Sequence, residues 1–221
     1  MDASVLSDDS DYDIVSPDNS VADLDHATAI AEPPPSQAAQ DTFNTCRLTS
    51  GDIQNFVQSN LSYPTSLRRT KRIYVDGVFD GFNVRHALQL RQAKLSFPSV
   101  WLIVGVFSTE SCEVFGTPAA LPELERCEVL RHCRWVDEVV PNAPCTLDAP
   151  FLLRHKIDYV AIEEGATVDP AYDKLRVKGY DDLKRNGTVI LTRRTTGVTT
   201  IPRTASSDPE TPPADVYGIG Y

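Results

Sequence analysis

Val100-Trp101-Leu102-Ile103-Val104-Gly105-Val106-Phe107 is a run of eight residues with no charged or polar side chain, β-branched at four positions and broken only by a glycine. A strand with one face in water alternates apolar and polar residues, so a continuous run of this length predicts a strand covered on both faces. It is far short of the roughly 20 residues a membrane helix needs. A strand buried on both sides requires helices above and below it, and the surrounding sequence supplies them. Arg72–Gly77 reads as a strand, 83–94 as a helix with Val84, Ala87, Leu88 and Leu95 at helical spacing, and 121–133 as a helix. Strands at 135–140, 157–162 and 188–192 alternate with helices at 148–155 and 172–178. Strand and helix in alternation, joined by right-handed crossovers, predict an α/β, Rossmann-like, doubly wound parallel sheet. Ligands of such sheets bind beyond the carboxyl ends of the strands, where the winding reverses.

Charge divides the chain. Residues 1–46 carry ten of the 31 carboxylates and no Lys or Arg, together with Pro33-Pro34-Pro35, which predicts a disordered acidic tail over 1–46. A linker with a short helix near Thr49–Val57 fills 47–70, a single domain covers 71–204, and 205–221 reads as a flexible tail. The domain is near neutral and shows no basic stripe with interleaved aromatics, which excludes a nucleic-acid binder. Five cysteines at irregular spacing, with no basic leader after Met1, point to reduced thiols in the cytoplasm or nucleus. Cys127, His132, Cys133 and Cys145 lack a Cys-x-x-Cys pair, so no metal site is assigned to them.

Two loops carry the chemistry. Asp76-Gly77-Val78-Phe79-Asp80-Gly81-Phe82-Asn83-Val84-Arg85-His86 links the first strand to the first helix of the sheet. A helix start presents backbone N–H groups to an anion, and His86 in its first turn can donate to a phosphoryl oxygen or simply be a structural residue. Arg193-Arg194-Thr195-Thr196-Gly197-Val198-Thr199-Thr200 follows the last strand, a second phosphate-competent loop at the same end of the sheet or a solvated Arg-Thr loop.

Over about residues 71–200 these motifs resemble the choline-phosphate and ethanolamine-phosphate cytidylyltransferases, whose members carry DGxFDxFHxGH and RTxGxST in those places. Glu125-Arg126, His132-Cys133-Arg134-Trp135-Val136-Asp137-Glu138-Val139-Val140 and Asn142-Ala143-Pro144 extend the similarity. The resemblance implies a nucleotidyltransferase-type sheet and transfer of CMP from CTP to phosphocholine or phosphoethanolamine. It implies Mg2+ with the CTP and a homo- or heterodimer, while the short apolar runs of the chain predict no membrane segment. It assigns His86, Asn83 and Arg194 to catalysis, Gly77, Phe79, Asp80, Thr195, Gly197, Thr199 and Thr200 to the nucleotide, and Glu163 to the substrate ammonium. The chain departs from the pattern where Asn83 replaces the first histidine, Arg85 a glycine, Phe115 a lysine and Cys145 an aromatic. Those departures imply reduced activity, or a catalytically inactive paralogue that binds nucleotide or dimerises.

Overall fold

A computed structural model describes residues 32–61, 69–114, 118–165 and 174–199. The chain divides after Glu32, and every described element lies in the second unit, Pro33–Tyr221. The strands are β1 (Lys71–Gly77), β2 (Val100–Val106), β3 (Glu138–Val140), β4 (Tyr159–Glu163) and β5 (Val189–Thr192). All pair in parallel in the order β3-β2-β1-β4-β5. The helices are α1 (Gln37–Thr42), α2 (Ser50–Asn60), α3 (Val84–Lys94), α4 (Thr109–Val114), α5 (Glu123–Arg131), α6 (Ala149–Arg154) and α7 (Lys174–Arg185). Among the described residues no helix is long and apolar enough to cross a membrane.

Alternation within β1 builds both layers of the core. Ile73 and Val75 face a cluster that takes Val57 from α2, Leu90 and Ala93 from α3, and Cys127 and Leu130 from α5. Tyr74, between them, faces Phe151 of α6 and Tyr180 and Leu183 of α7. Each such side chain, fully removed from water, contributes about 1.5–3 kcal/mol, which fixes the register of the central strands. Only Trp101 breaks the expected double burial of β2. It sits 41% exposed near the start of the strand, its indole N–H donating to Glu138 Oε2 at 3.0 Å. Helices α3 and α5 cover one face and α6 and α7 the other, so the winding reverses between β1 and β4. The carboxyl ends Gly77 and Glu163 flank that reversal.

The chain before β1 departs from the sequence expectation. The acidic character of residues 1–46 predicts a disordered arm, yet α1 falls inside that stretch and a following 3₁₀ turn, Asn44–Arg47, begins in it. Ser36 caps α1, Arg47 pairs with Asp41 at 2.6 Å, and Thr45 is 1% exposed. Composition missed them because the stabilising partners lie about 150 residues away, on the loop after β5. Residues 1–31, 62–68, Phe115, Thr200 and the 205–221 tail lie outside the described residues.

Candidate active site

The loop from β1 to α3 is shaped by a helix cap. Asn83 is the N-cap of α3, and its Oδ1 accepts from the N–H groups of Arg85 at 3.0 Å and His86 at 3.4 Å. His86 returns the contact, its Nδ1 accepting from the Asn83 N–H at 3.2 Å. This reciprocal pair is a capping box with histidine in the place usually held by Glu. Two of the amides expected to face an anion are therefore taken by Asn83, which corrects the picture of an open helix terminus and weakens it as an anion cradle.

The same box fixes the histidine chemically. Because Nδ1 accepts, the proton of the neutral ring resides on Nε2, leaving Nε2–H as its donor. The ring lies against Phe79 edge-on at 5.5 Å and stacks on Phe82 at 5.8 Å. Burial, followed by the neighbouring Arg85 charge, holds its pKa below the ordinary imidazole value, with Glu163 opposing. His86 is thus kept neutral near pH 7. Phe79 itself is core, 5% exposed with φ of 53°, and its ring packs on Gly77, where a side chain would stand 3.1 Å from it. Asp80 accepts from the Ala120 and Leu121 N–H groups at 2.8 and 3.0 Å, anchoring the segment that leads into α5. Arg126, 1% exposed, ties that segment back by donating to Leu121 O at 3.0 Å and Val78 O at 2.6 Å.

The loop after β5 is held from three sides. Gln92 of α3, 2% exposed, accepts from the Arg193 N–H and donates to the Arg193 carbonyl, both at 2.9 Å. Arg193 lies over the Phe56 ring at 4.6 Å. Glu164 accepts from the Arg194 N–H at 3.1 Å. Asn44 grips the far side, donating to Arg194 O at 3.1 Å and accepting from Thr196 N at 2.8 Å. Thr45 and Thr195 share a hydroxyl–hydroxyl bond of 2.7 Å. Gly197, at φ of 84°, passes so close to Thr42 that a Cβ would stand 2.0 Å from its carbonyl oxygen.

The sequence-predicted residues therefore separate into groups. His86, in the first turn of α3, and Arg194 and Thr199, on the loop after β5, follow the carboxyl ends of their strands, with the Arg194 and Thr199 side chains exposed. Thr195 is 5% exposed and turned onto Thr45, so it supports the loop. Glu163 has an internal partner. Expected to face a ligand ammonium, it is buried and takes the Arg85 guanidinium on both oxygens. Beside it, Tyr180 donates to Asp76 at 2.6 and 2.7 Å. Asn44, Thr45, Gln92 and Tyr180 escaped the sequence reading. Gln92 alone left a signal, a polar residue on a helix face that packs against the core.

Residues 74–209 match the family model described as cytidylyltransferase-like. Choline-phosphate cytidylyltransferase of Saccharomyces cerevisiae is 48% identical over 132 residues, 60% of this chain and 30% of that protein. Choline-phosphate cytidylyltransferase 2 of Arabidopsis thaliana is 43% identical over 136 residues, 62% of this chain and 44% of that protein. Choline-phosphate cytidylyltransferase A of Homo sapiens is 42% identical over 136 residues, 62% and 36% of the two chains. The chain thus spans less than half the length of the curated relatives it matches.

Proposed function

We propose, from the premise that the chain belongs to the cytidylyltransferase-like family, that it transfers CMP from CTP to phosphocholine at a reduced rate. The observation that carries this reading is the placement of two polar segments, one after β1 and one after β5, at the carboxyl edge of one parallel sheet. One of them brings a histidine of fixed tautomer, the other an exposed arginine. In the reaction, an oxygen of the phosphocholine phosphate forms a bond to the α-phosphorus of CTP. The bond from that phosphorus to the bridging oxygen breaks, and pyrophosphate leaves with the electron pair.

Little covalent work falls to the protein in such a transfer; it holds two anions together and meets the charge that builds up. His86 Nε2–H donates to a phosphoryl oxygen as a neutral group. Arg194 supplies full positive charge from a loop whose backbone is pinned by Glu164 and Asn44. The rate is reduced because Asn83 cannot become cationic and its Oδ1 consumes two helix amides. Loss of one preorganised donor typically costs about 10²–10³ in rate. Among the described residues no three His, Cys, Asp or Glu gather as a metal cage. Mg2+ bound with CTP would supply positive charge to the triphosphate beside Arg194, and such binding would need no all-protein cage. The reading includes a dimer and a cytoplasmic or nuclear setting.

The test is to incubate the full chain with CTP, Mg2+ and phosphocholine and to measure pyrophosphate and CDP-choline. Slow turnover that His86→Ala abolishes is the expected result. Absence of product from the parent chain and from Asn83→His would refute catalysis and leave the inactive binding module.

A further inference from the structure

Glu163 ends β4 next to β1 in the sheet, so its carboxylate lies where the winding reverses and where ligands of such sheets sit. Its side chain is only 7% exposed, and a buried carboxylate without a counter-cation is strongly disfavoured. The chain supplies the cation from within. Arg85, in the first turn of α3, reaches across with Nε on Oε1 at 3.1 Å and Nη2 on Oε2. Its side chain is 41% exposed, so the guanidinium lies on the solvent side of the pair. The fork engages both carboxylate oxygens, and the Asn83 cap fixes the backbone from which Arg85 springs. A cationic ligand arriving at Glu163 meets a neutral pair whose carboxylate it can engage only by displacing Arg85.

We propose that Arg85 is a specificity-determining residue, an internal cation that competes with the ammonium of the phosphorylated amino alcohol for Glu163. The assignment rests on the acceptor reading above and adds to it the reason the acceptor binds weakly. Removal of the guanidinium leaves Glu163 uncompensated until an ammonium replaces it, so phosphocholine binding tightens. An acceptor phosphate without a cation, such as glycerol 3-phosphate, has no use for the exposed carboxylate and gains nothing.

The test is calorimetric titration of phosphocholine, and separately of glycerol 3-phosphate, into the full chain and its Arg85→Ala, Arg85→Gln and Arg85→Ala/Glu163→Gln variants. Arg85→Gln retains an N–H for Glu163 and guards against misfolding of the alanine variant; Trp fluorescence on unfolding shows that each variant is folded. Phosphocholine should bind about tenfold or more tightly after either single substitution, with glycerol 3-phosphate not gaining and the advantage gone in the double variant. Unchanged phosphocholine affinity in both single variants, or a gain that persists without Glu163, would overturn the assignment. A thermal shift with CTP separates the two readings. With the shift intact and no phosphocholine gain, the Arg85 assignment alone fails; with no shift but the gain present, cytidylyl transfer fails and the Arg85 assignment stands.

Discussion

Replacing Thr45 with Val should destabilise the protein by about 1–3 kcal/mol, and replacing its partner Thr195 as well should return most of that loss. The two hydroxyls lie 2.7 Å apart, with their residues 1% and 5% exposed. Valine keeps the branched shape, so the single substitution leaves packing intact and strands one hydroxyl away from water. An unsatisfied buried polar group costs about 1–3 kcal/mol, whereas apolar replacement of both partners is close to neutral. The cycle Thr45→Val, Thr195→Val and the double substitution should therefore show a coupling of about 1–3 kcal/mol. Urea unfolding followed by Trp fluorescence reads it, since Trp135 is 6% exposed and reports on the core. In a domain of this size each kcal/mol shifts the melting temperature by about 2–4 °C. Amide exchange at Thr196 provides a local readout, because its N–H is held by Asn44, the residue next to Thr45. Additivity within about 0.5 kcal/mol, with Thr196 exchange unaltered in Thr45→Val, would refute the argument that the segment before β1 clamps the loop after β5.

Gly197→Ala should cost at least about 1–3 kcal/mol in urea unfolding, because φ of 84° strains any side chain and Thr42 O blocks the Cβ. Gln92→Ala strips the Arg193 N–H and C=O of their partner and should lower stability by about 1–3 kcal/mol, while Gln92→Glu, retaining the acceptor for that N–H, should lose less. His86 has its folded pKa below the unfolded value of 6.5, so the unfolded chain binds the proton more readily. Its share of stability is present above pH 6.5 and is lost as the pH falls toward the folded pKa. His86→Gln should flatten the decline in unfolding free energy below pH 6.5, and an unchanged slope would contradict the burial argument. Arg85→Ala removes one of the two influences that lower the His86 pKa while Glu163 remains, so imidazole resonances should titrate at higher pH than in the parent.

The chain order of strands and helices was legible because the sheet is parallel and buried on both faces. Val100–Val106 must be covered twice, and only alternating helices do that. The loops after β1 and β5 stood out as well, since each gathers glycine with arginine or histidine directly after a strand. What those side chains do once folded was not legible. Asn83 and His86 looked like ligand donors and form a capping box, a pairing three residues apart that nothing in composition distinguishes from two independent donors. Glu163 looked open to a cation, and its partner Arg85 lies 78 positions away in sequence. The stretch from Gln37 to Cys46 looked like tail because its anchors, Arg194, Thr195 and Thr196, lie on the last described loop.

Sequence by itself determined the layers, the alternation of strands and helices, and the residue types carried by the loops that follow the strands. Hydrophobic periodicity and turn chemistry are local, and they set those features before any long-range contact forms. Tertiary structure alone decided which polar groups remain for a ligand. Hydrogen bonds and ion pairs between distant segments are settled only when the sheet brings α3, β4 and the segment before β1 to one edge, where each donor or acceptor taken internally is one fewer for phosphate or ammonium.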